Sequence, residues 1–192
     1  MKKIIPFFIL LFAFSASAQT IDINYNFRAG ASGWTAGFAD YPPHTDPNGT
    51  LYELRSGIRI MPRKATRLPR QGFYIQGHNR SDDLFMFLKR RLTTEDGIVA
   101  GRTYRVEFVI TLASNAASGC AGIGGAPGEG VVLKAGASAV EPLAVLQPSG
   151  YLRMNVNIGD HQVGGTEASV AGNIANGIPC ELAGPVSPYV VI

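Results

Sequence analysis

Histidine and cysteine are scarce in this chain of 192 residues, which has three of the former and two of the latter. The histidines, His44, His78 and His161, are scattered, and neither a His-x-His nor a His-Glu-x-x-His pattern occurs. Protein zinc sites combine several His, Cys or acidic ligands, commonly at short spacings. The sequence therefore gives little support to a zinc enzyme.

The short motifs of other enzyme classes are also missing. No Gly-x-Ser-x-Gly elbow is present, which argues against an α/β-hydrolase. The glycine-rich stretch 122–128 resembles a phosphate-binding loop, but Pro127 replaces the third glycine and no Lys-Ser/Thr follows. A glycosidase needs two carboxyl groups across a cleft, and the spacing of the acidic residues brings no such pair together. We therefore predict a protein that is not an enzyme.

The chain has few charged residues, and basic residues outnumber acidic ones only slightly. Charged residues make up 16% of the chain, with 17 Lys and Arg against 14 Asp and Glu, a net charge of +3. Without Lys2 and Lys3 the count is 15 against 14, which leaves about +1. The basic residues between positions 55 and 70 lie in a Pro-containing stretch that is typical of a solvated loop. Because nucleic acid attracts proteins through a large basic field, we predict no nucleic-acid partner.

No apolar run is long enough for a membrane span, but the first residues carry a different signal. Lys2 and Lys3 precede an apolar stretch at 4–14, and Ala16-Ser17-Ala18 follows it. This order is typical of a secretory signal peptide, predicted here at residues 1–18, and the apolar stretch is shorter than the ~20 residues that a bilayer requires. We expect a secreted or periplasmic protein without a membrane span.

The two cysteines, Cys120 and Cys180, predict one disulfide. An isolated pair in an exported protein is most simply a bridge, because the compartment is oxidising. A metal pair and a nucleophilic cysteine are the alternatives. Both lack support, because no histidine lies close to either cysteine in the sequence.

The composition predicts an all-β fold. The chain has 23 glycines, 12 prolines and many short apolar runs, and it shows no convincing helical period. The remaining stretch, 19–192, has about 170 residues, which suits a single domain. We predict one antiparallel, jelly-roll-like β-sandwich.

The segment 81–92 is predicted to be the centre of this sandwich. Five apolar residues at 84–88 suit a strand that is buried on both faces. The cleanest alternation of apolar and polar residues, at 102–112, predicts its neighbouring strand. The other predicted strands are at 21–27, 34–38, 51–60, 72–76, 131–135, 152–158 and 186–192.

The last four residues, 189–192, read as a strand that has no polar tail. Two alternatives follow. The segment is the closing strand of the sandwich, or the sandwich lacks its last strand, and an exposed apolar edge of this kind invites association. The abrupt end favours the second alternative.

Two loops combine aromatic, Asp and Asn side chains, which is how a sandwich holds a carbohydrate. The predicted ligand-binding residues are Trp34, Asp40, Tyr41, Asn79, Asp82 and Asp83. For Trp34 the alternative is a place in the core, since large aromatic residues are usually buried. For the polar residues at 79–83 the alternatives are turn hydrogen bonding and a structural Ca²⁺ site.

Three stretches resemble a family of uncharacterised bacterial secreted proteins and lipoproteins. They are 27–42, with Gly33-Trp34-Thr35, the segment 81–87, and the segment 119–125, Gly-Cys-Ala-Gly-Ile-Gly-Gly. The family is similar to galactose-binding-like sandwiches, of the kind used as carbohydrate-binding modules. The resemblance implies an exported, non-catalytic binding module, with a glycan as the expected ligand. The alternative is a structural or envelope-associated protein, for which the end at 190–192 would be a docking edge.

Overall fold

The computed structural model describes residues 20–62, 70–185 and 187–192, and the predicted signal peptide at 1–18 lies outside them. Within these ranges twelve strands alternate with loops, so the all-β prediction is confirmed. The strands are β1 Thr35–Ala39, β2 Arg55–Ile60, β3 Gln71–Gln76, β4 Phe85–Lys89, β5 Ala113–Ser114, β6 Ala116–Ser118, β7 Val132–Gly136, β8 Ala144–Leu146, β9 Leu152–Met154, β10 Ala168–Asn173, β11 Ala175–Pro179 and β12 Val190–Val191. One short helix, α1 Cys180–Ala183, and two 3-10 turns, Pro43–Thr45 and Thr94–Asp96, complete the elements.

The described strands form six two-stranded sheets. Five pairs are antiparallel: β1–β4, β2–β3, β5–β12, β7–β10 and β8–β9. The sixth pair, β6–β11, is parallel, so the prediction of an entirely antiparallel fold is wrong at this pair. The jelly-roll arrangement of the sandwich stays a prediction.

The pair β1–β4 is built around a glycine that faces an aromatic ring. Gly37 stands opposite Phe87, and the Phe87 ring occupies the space that a Cβ at position 37 would take. Phe85 lies on the same face of β4 and stacks on Phe87, with ring centroids 5.8 Å apart. This packing fixes the register of β1, which ends at the fully buried Ala39 and delivers the next residue, Asp40, to the edge of the sheet.

The predicted partnership of 81–92 with 102–112 is wrong. The strand inside the first segment is β4, which pairs with β1. Its five side chains are all half-buried, so the prediction of a strand buried on both faces is wrong. The backbone of the second segment has neither turn nor bend, but only its last residue, Leu112, pairs, with Ile192. Alternation of apolar and polar residues shows which side chains share a face of a strand. It does not show which other strand the backbone pairs with.

The strands predicted at 21–27, 152–158 and 186–192 are also changed. Residues 21–27 are not paired with any described strand, and Phe27 has a φ of 56°, which interrupts an extended course. Their aromatic side chains still pack: Tyr25 contacts Trp34 edge-on, with ring centroids 5.5 Å apart. The strand predicted at 152–158 stops after Met154, the end of β9. The prediction at 186–192 is reduced to β12, which pairs with β5.

Cys120 and Cys180 form the predicted disulfide, with Cα atoms 5.0 Å apart. The bridge joins the residues after β6 to the first residue of α1, beside the parallel pair β6–β11. Its surroundings contain two of the buried apolar side chains of the described chain, Ala117 and Ala183. Tyr52, 2% exposed, is the largest buried apolar side chain in these ranges, so the well-packed core is small.

Candidate functional site

Asp40 stands at the point where β1 leaves the sheet, and its backbone is held from two sides. Its N–H donates to the Leu152 carbonyl at 2.8 Å, and its own carbonyl accepts from Ser81 Oγ at 2.7 Å. The next residue, Tyr41, forms an isolated bridge with Leu152. These bonds hold Asp40 at a φ of 60°, which non-glycine residues rarely adopt. The clamp directs the Asp40 carboxylate toward β9.

Asp83 reaches the same place from a turn before β4. Asn79 organises this turn: its Nδ2 donates to the Asp82 carbonyl at 2.9 Å, and its Oδ1 accepts from the Leu84 N–H at 3.3 Å. Asp82 takes a φ of 72°, and Ser81 connects the turn to Asp40. Asn and Asp side chains commonly stabilise such turns through their own backbone. The turn places Asp83 beside the end of β1.

Arg153, on the exposed side of β9, joins the two carboxylates. Its Nη1 lies 3.0 Å from Asp40 Oδ1 and 3.7 Å from Asp83 Oδ2. Its guanidinium also lies over the ring of Tyr151, with 5.2 Å from Cζ to the ring centroid. Arginine suits this role because its planar fork binds carboxylates and stacks on aromatic faces. We call Asp40, Asp83, Tyr151, Arg153 and His161 the Arg153 cluster. The Tyr41 ring lies apart from it, 5.0 Å from the ring of Tyr52.

His161 completes the Arg153 cluster from a loop after β9. Its Nε2 forms an ion pair with Asp83 Oδ1 when the ring is protonated. Lys134 of β7 holds this loop in place, because its Nζ donates hydrogen bonds to the carbonyls of Ile158 and Val163, each at 2.9 Å. The imidazole is more than half exposed, so it is accessible from solvent.

Burial is the main reason why the pKa values of Asp40 and Tyr41 are raised. Desolvation raises the pKa of Asp40, and the Asp83 charge raises it further, while the hydrogen bond and charge of Arg153 and the charge of Lys134 lower it. Desolvation, with smaller effects from Asp46 and Tyr52, raises the pKa of Tyr41. Tyr41 therefore keeps its phenolic proton at neutral pH and presents a hydrogen-bond donor.

We expect two substitutions to move the pKa of Asp40 in opposite directions. Arg153→Ala removes the groups that lower it, so the pKa should rise; Asp83→Asn removes a repelling charge, so the pKa should fall. A pH titration of the Asp40 carboxyl carbon by NMR measures both. A shift of the Asp40 pKa in the same direction in both variants would contradict the placement of Asp40 beside Arg153 and Asp83. Because the folded pKa lies above the ordinary value of 3.8, Asp40 makes stability fall as pH rises from 3.8 through the folded pKa.

The structure brings some of the predicted ligand-binding residues together and leaves two apart. Asp40 and Asp83 belong to the Arg153 cluster, Asn79 and Asp82 form the turn beside it, and the Tyr41 ring packs on Tyr52. Trp34 precedes β1 and Asp40 follows it, so the two lie six positions apart along an extended strand, a distance of about 20 Å. The Trp34 ring is half-buried against Tyr25 and lies outside the cluster.

The same turn was predicted as one alternative to hold a structural Ca²⁺. Among the described residues no three His, Cys, Asp or Glu side chains are grouped closely enough to hold a metal ion. The oxygen of Asn79 accepts backbone N–H groups, and the Ser81 hydroxyl donates to Asp40. These bonds match the turn-forming alternative. Calcium binding at this turn stays a prediction.

The sequence did not single out Arg153, Tyr151 or His161 as partners of the acidic residues. Arg153 lies 113 positions after Asp40, and it alternates with apolar residues like any solvent-facing residue of a strand. The Gly150 turn between β8 and β9, with a φ of 83°, is the local signal that brings Tyr151 and Arg153 back along β8. Nothing in that signal specifies contact with β1.

A comparison of the chain with protein-family models, curated protein sequences and solved structures finds no match. The resemblance to secreted carbohydrate-binding-like proteins therefore stays a prediction from the sequence segments alone. In the described ranges, no helix has the length and apolar character needed to cross a membrane. The candidate site must be interpreted from its own geometry.

Proposed function

We propose that this protein is an exported, non-catalytic carbohydrate-binding module, secreted or periplasmic, that holds its glycan at the Arg153 cluster. The carrying observation is the position of Arg153, which contacts two carboxylates and lies over a tyrosine ring. Exposed polar groups that are fixed before the ligand arrives lose little entropy on binding. The disulfide and the signal-like first residues support the exported location.

Sugars suit the chemistry of this cluster. A sugar ring carries several neighbouring hydroxyls, each of which donates and accepts hydrogen bonds, and an apolar face that packs on aromatic rings. Asp40 and Asp83 supply acceptors, the remaining guanidinium N–H groups of Arg153 supply donors, and Tyr151 supplies a ring. Arg153 is 46% exposed, which leaves part of its fork open to a ligand.

The proposal predicts that Arg153→Lys weakens glycan binding by at least about tenfold, or ~1.4 kcal/mol. Lysine keeps the charge but loses the planar fork and the stacking on Tyr151. A thermal-shift screen of the protein against a glycan panel, with calcium and with chelator, identifies the ligand, and calorimetry then gives the affinity of each variant.

Arg59→Lys is the matched control, because Arg59 also lies over a tyrosine ring, 4.4 Å from the Tyr74 centroid, and makes no ion pair among the described residues. Its affinity should equal that of the unaltered protein. Equal losses in both variants, or no shift with any glycan, would contradict the proposed site. Turnover of a bound glycan would contradict the non-catalytic assignment.

The alternative proposal is a structural or envelope-associated protein without a small ligand. Its predicted docking edge, 190–192, is paired with β5 along one side in the structure. A sharply melting protein that shifts with no glycan but is retained on envelope material would favour this alternative. A monomer that binds neither would count against both.

A further inference from the structure

One face of the β2–β3 pair carries a row of exposed arginines. Arg55 and Arg59 lie four positions apart on β2, so they share a face and stand about 13 Å apart along the strand. The ladder continues one step past β2, where the Met61 N–H donates to the Arg70 carbonyl at 2.8 Å. This pairing places Arg70 opposite Met61 and therefore on the same face, diagonal to Arg59.

Two side-chain contacts agree with this assignment of the face. The guanidinium of Arg59 lies over the ring of Tyr74, with 4.4 Å from Cζ to the ring centroid. The Sδ of Met61 fills the space that a Cβ at position 72 would take. The face is open at Gly57, opposite Tyr74, because a Cβ there would meet no described atom within 4 Å. A ligand can therefore approach the backbone between the two arginines of β2. We call this surface the arginine face; it comprises Arg55, Gly57, Arg59, Arg70 and Tyr74.

The positive charges of the arginine face are not neutralised by carboxylates of the chain. Ion pairs in the described ranges involve Arg90 and Arg153 but none of the arginines on this face. All 14 acidic residues of the chain lie within those ranges, so the rest of the chain contributes no Asp or Glu. Glu53, which precedes β2, accepts from Gln76 Nε2 at 3.4 Å and faces His78 Nδ1 at 3.8 Å. The arginine face is therefore positive and open to solvent.

We propose that the arginine face binds a polysaccharide that carries carboxylate or sulfate groups. The guanidinium fork of arginine binds such oxyanions through two parallel hydrogen bonds, and a row of forks fits a chain with repeating negative groups. This site is distinct from the Arg153 cluster, which lies on other strands. Two carboxylates in that cluster, those of Asp40 and Asp83, would repel an anionic ligand.

The composition of the arginine face favours a polysaccharide over nucleic acid. Proteins that bind single-stranded nucleic acid stack the bases on open aromatic rings. Tyr74 supplies the aromatic ring of this face, and the guanidinium of Arg59 already lies over it. The small net charge of the chain also gives little long-range attraction for a duplex.

Calorimetry with polygalacturonate and with dextran sulfate tests the proposal, and uncharged dextran is the control ligand. We expect binding of at least one anionic polymer and none of dextran. Arg55→Gln, Arg59→Gln and Arg70→Gln should each weaken binding about fivefold, and the triple variant about a hundredfold. Binding should also weaken as salt is raised, because exposed charges are screened. No binding of either anionic polymer, or binding that does not depend on salt, would overturn the proposal.

The matched control removes the same number of charges from exposed positions elsewhere, in the triple variant Arg28→Gln/Arg102→Gln/Arg105→Gln. This variant should retain most of the binding. Equal losses in the two triple variants would overturn the proposal, because net charge alone would then explain binding. If the arginine-face triple variant melts early, Arg55→Gln decides the result, because its side chain makes no hydrogen bond to a described residue.

Two further ligands test the class of polymer. Tighter binding of a single-stranded oligonucleotide or of phosphatidylglycerol vesicles, lost in the arginine-face triple variant, would overturn a polysaccharide as the occupant. Arg153→Lys should leave the binding of the anionic polymer unchanged, although it weakens glycan binding at the Arg153 cluster. The two proposed sites can therefore fail independently of each other.

Discussion

The Cys120→Ser/Cys180→Ser double variant is expected to unfold with a free energy lower by about 4 kcal/mol than the unaltered protein. The bridge closes a loop with a sequence separation of 60, and opening it restores the conformational freedom of that loop in the unfolded chain. Urea denaturation followed by fluorescence measures the loss. A changed midpoint with a smaller change in slope is the signature of lost stability.

The position of the bridge explains why the fold depends on it. It joins the neighbourhood of the parallel pair β6–β11, whose strands are only three and five residues long, to α1. Short parallel ladders gain little from hydrogen bonds alone. The unaltered protein with its disulfide reduced should have the same free energy of unfolding as the double variant. This comparison separates loss of the bridge from any effect of the two serines themselves. Two free thiols in the native oxidised protein, or equal stability of the variant, would refute this role.

Tyr52→Ala is expected to lower the free energy of unfolding by about 3 kcal/mol, as for other large buried aromatic residues. Tyr52 is 2% exposed, and its ring lies 5.0 Å from that of Tyr41, centroid to centroid. The backbone N–H of Tyr52, which the variant keeps, donates to Asp46 Oδ2 and helps to hold the loop before β2. Because Tyr41 loses its support, glycan affinity at the Arg153 cluster should fall together with stability.

Tyr189→Ala is the matched control, because it removes the same side chain where 36% of it is exposed. Its cost should stay below about 1 kcal/mol. Tyr52→Phe keeps the ring and separates packing from loss of the hydroxyl, so it should retain most of the stability. Equal destabilisation by Tyr52→Ala and Tyr189→Ala would show that the core does not depend on Tyr52.

Local patterns predicted some of the strands closely and missed β5, β6, β8, β10 and β11. The predicted strands 34–38, 72–76 and 131–135 correspond to β1, β3 and β7 with shifts of one residue. The disulfide was predicted from its compartment and from the absence of other cysteines, and it is confirmed. These features succeed because turn residues, β-branched and aromatic content, and redox chemistry are properties of neighbouring residues or of composition.

The strongest alternation in the sequence was the least reliable guide to pairing. The segment 102–112 runs without a turn or a bend and is exposed up to residue 111, and the backbone of 103–111 pairs with no described residue. A period of two reports which side chains share a face. Whether a backbone edge meets a partner depends on where other segments run, which the period does not contain.

By itself, the sequence determined the all-β class, the position of several strands and the Cys120–Cys180 bridge. Only the tertiary structure decided that β4 pairs with β1, that β6 and β11 run parallel, and that Arg153 lies between Asp40 and Asp83. The physical reason is range. Propensity and alternation act over a few residues, whereas Arg153 and Asp40 lie 113 positions apart. They meet because an isolated bridge between Tyr41 and Leu152 holds the end of β1 beside β9.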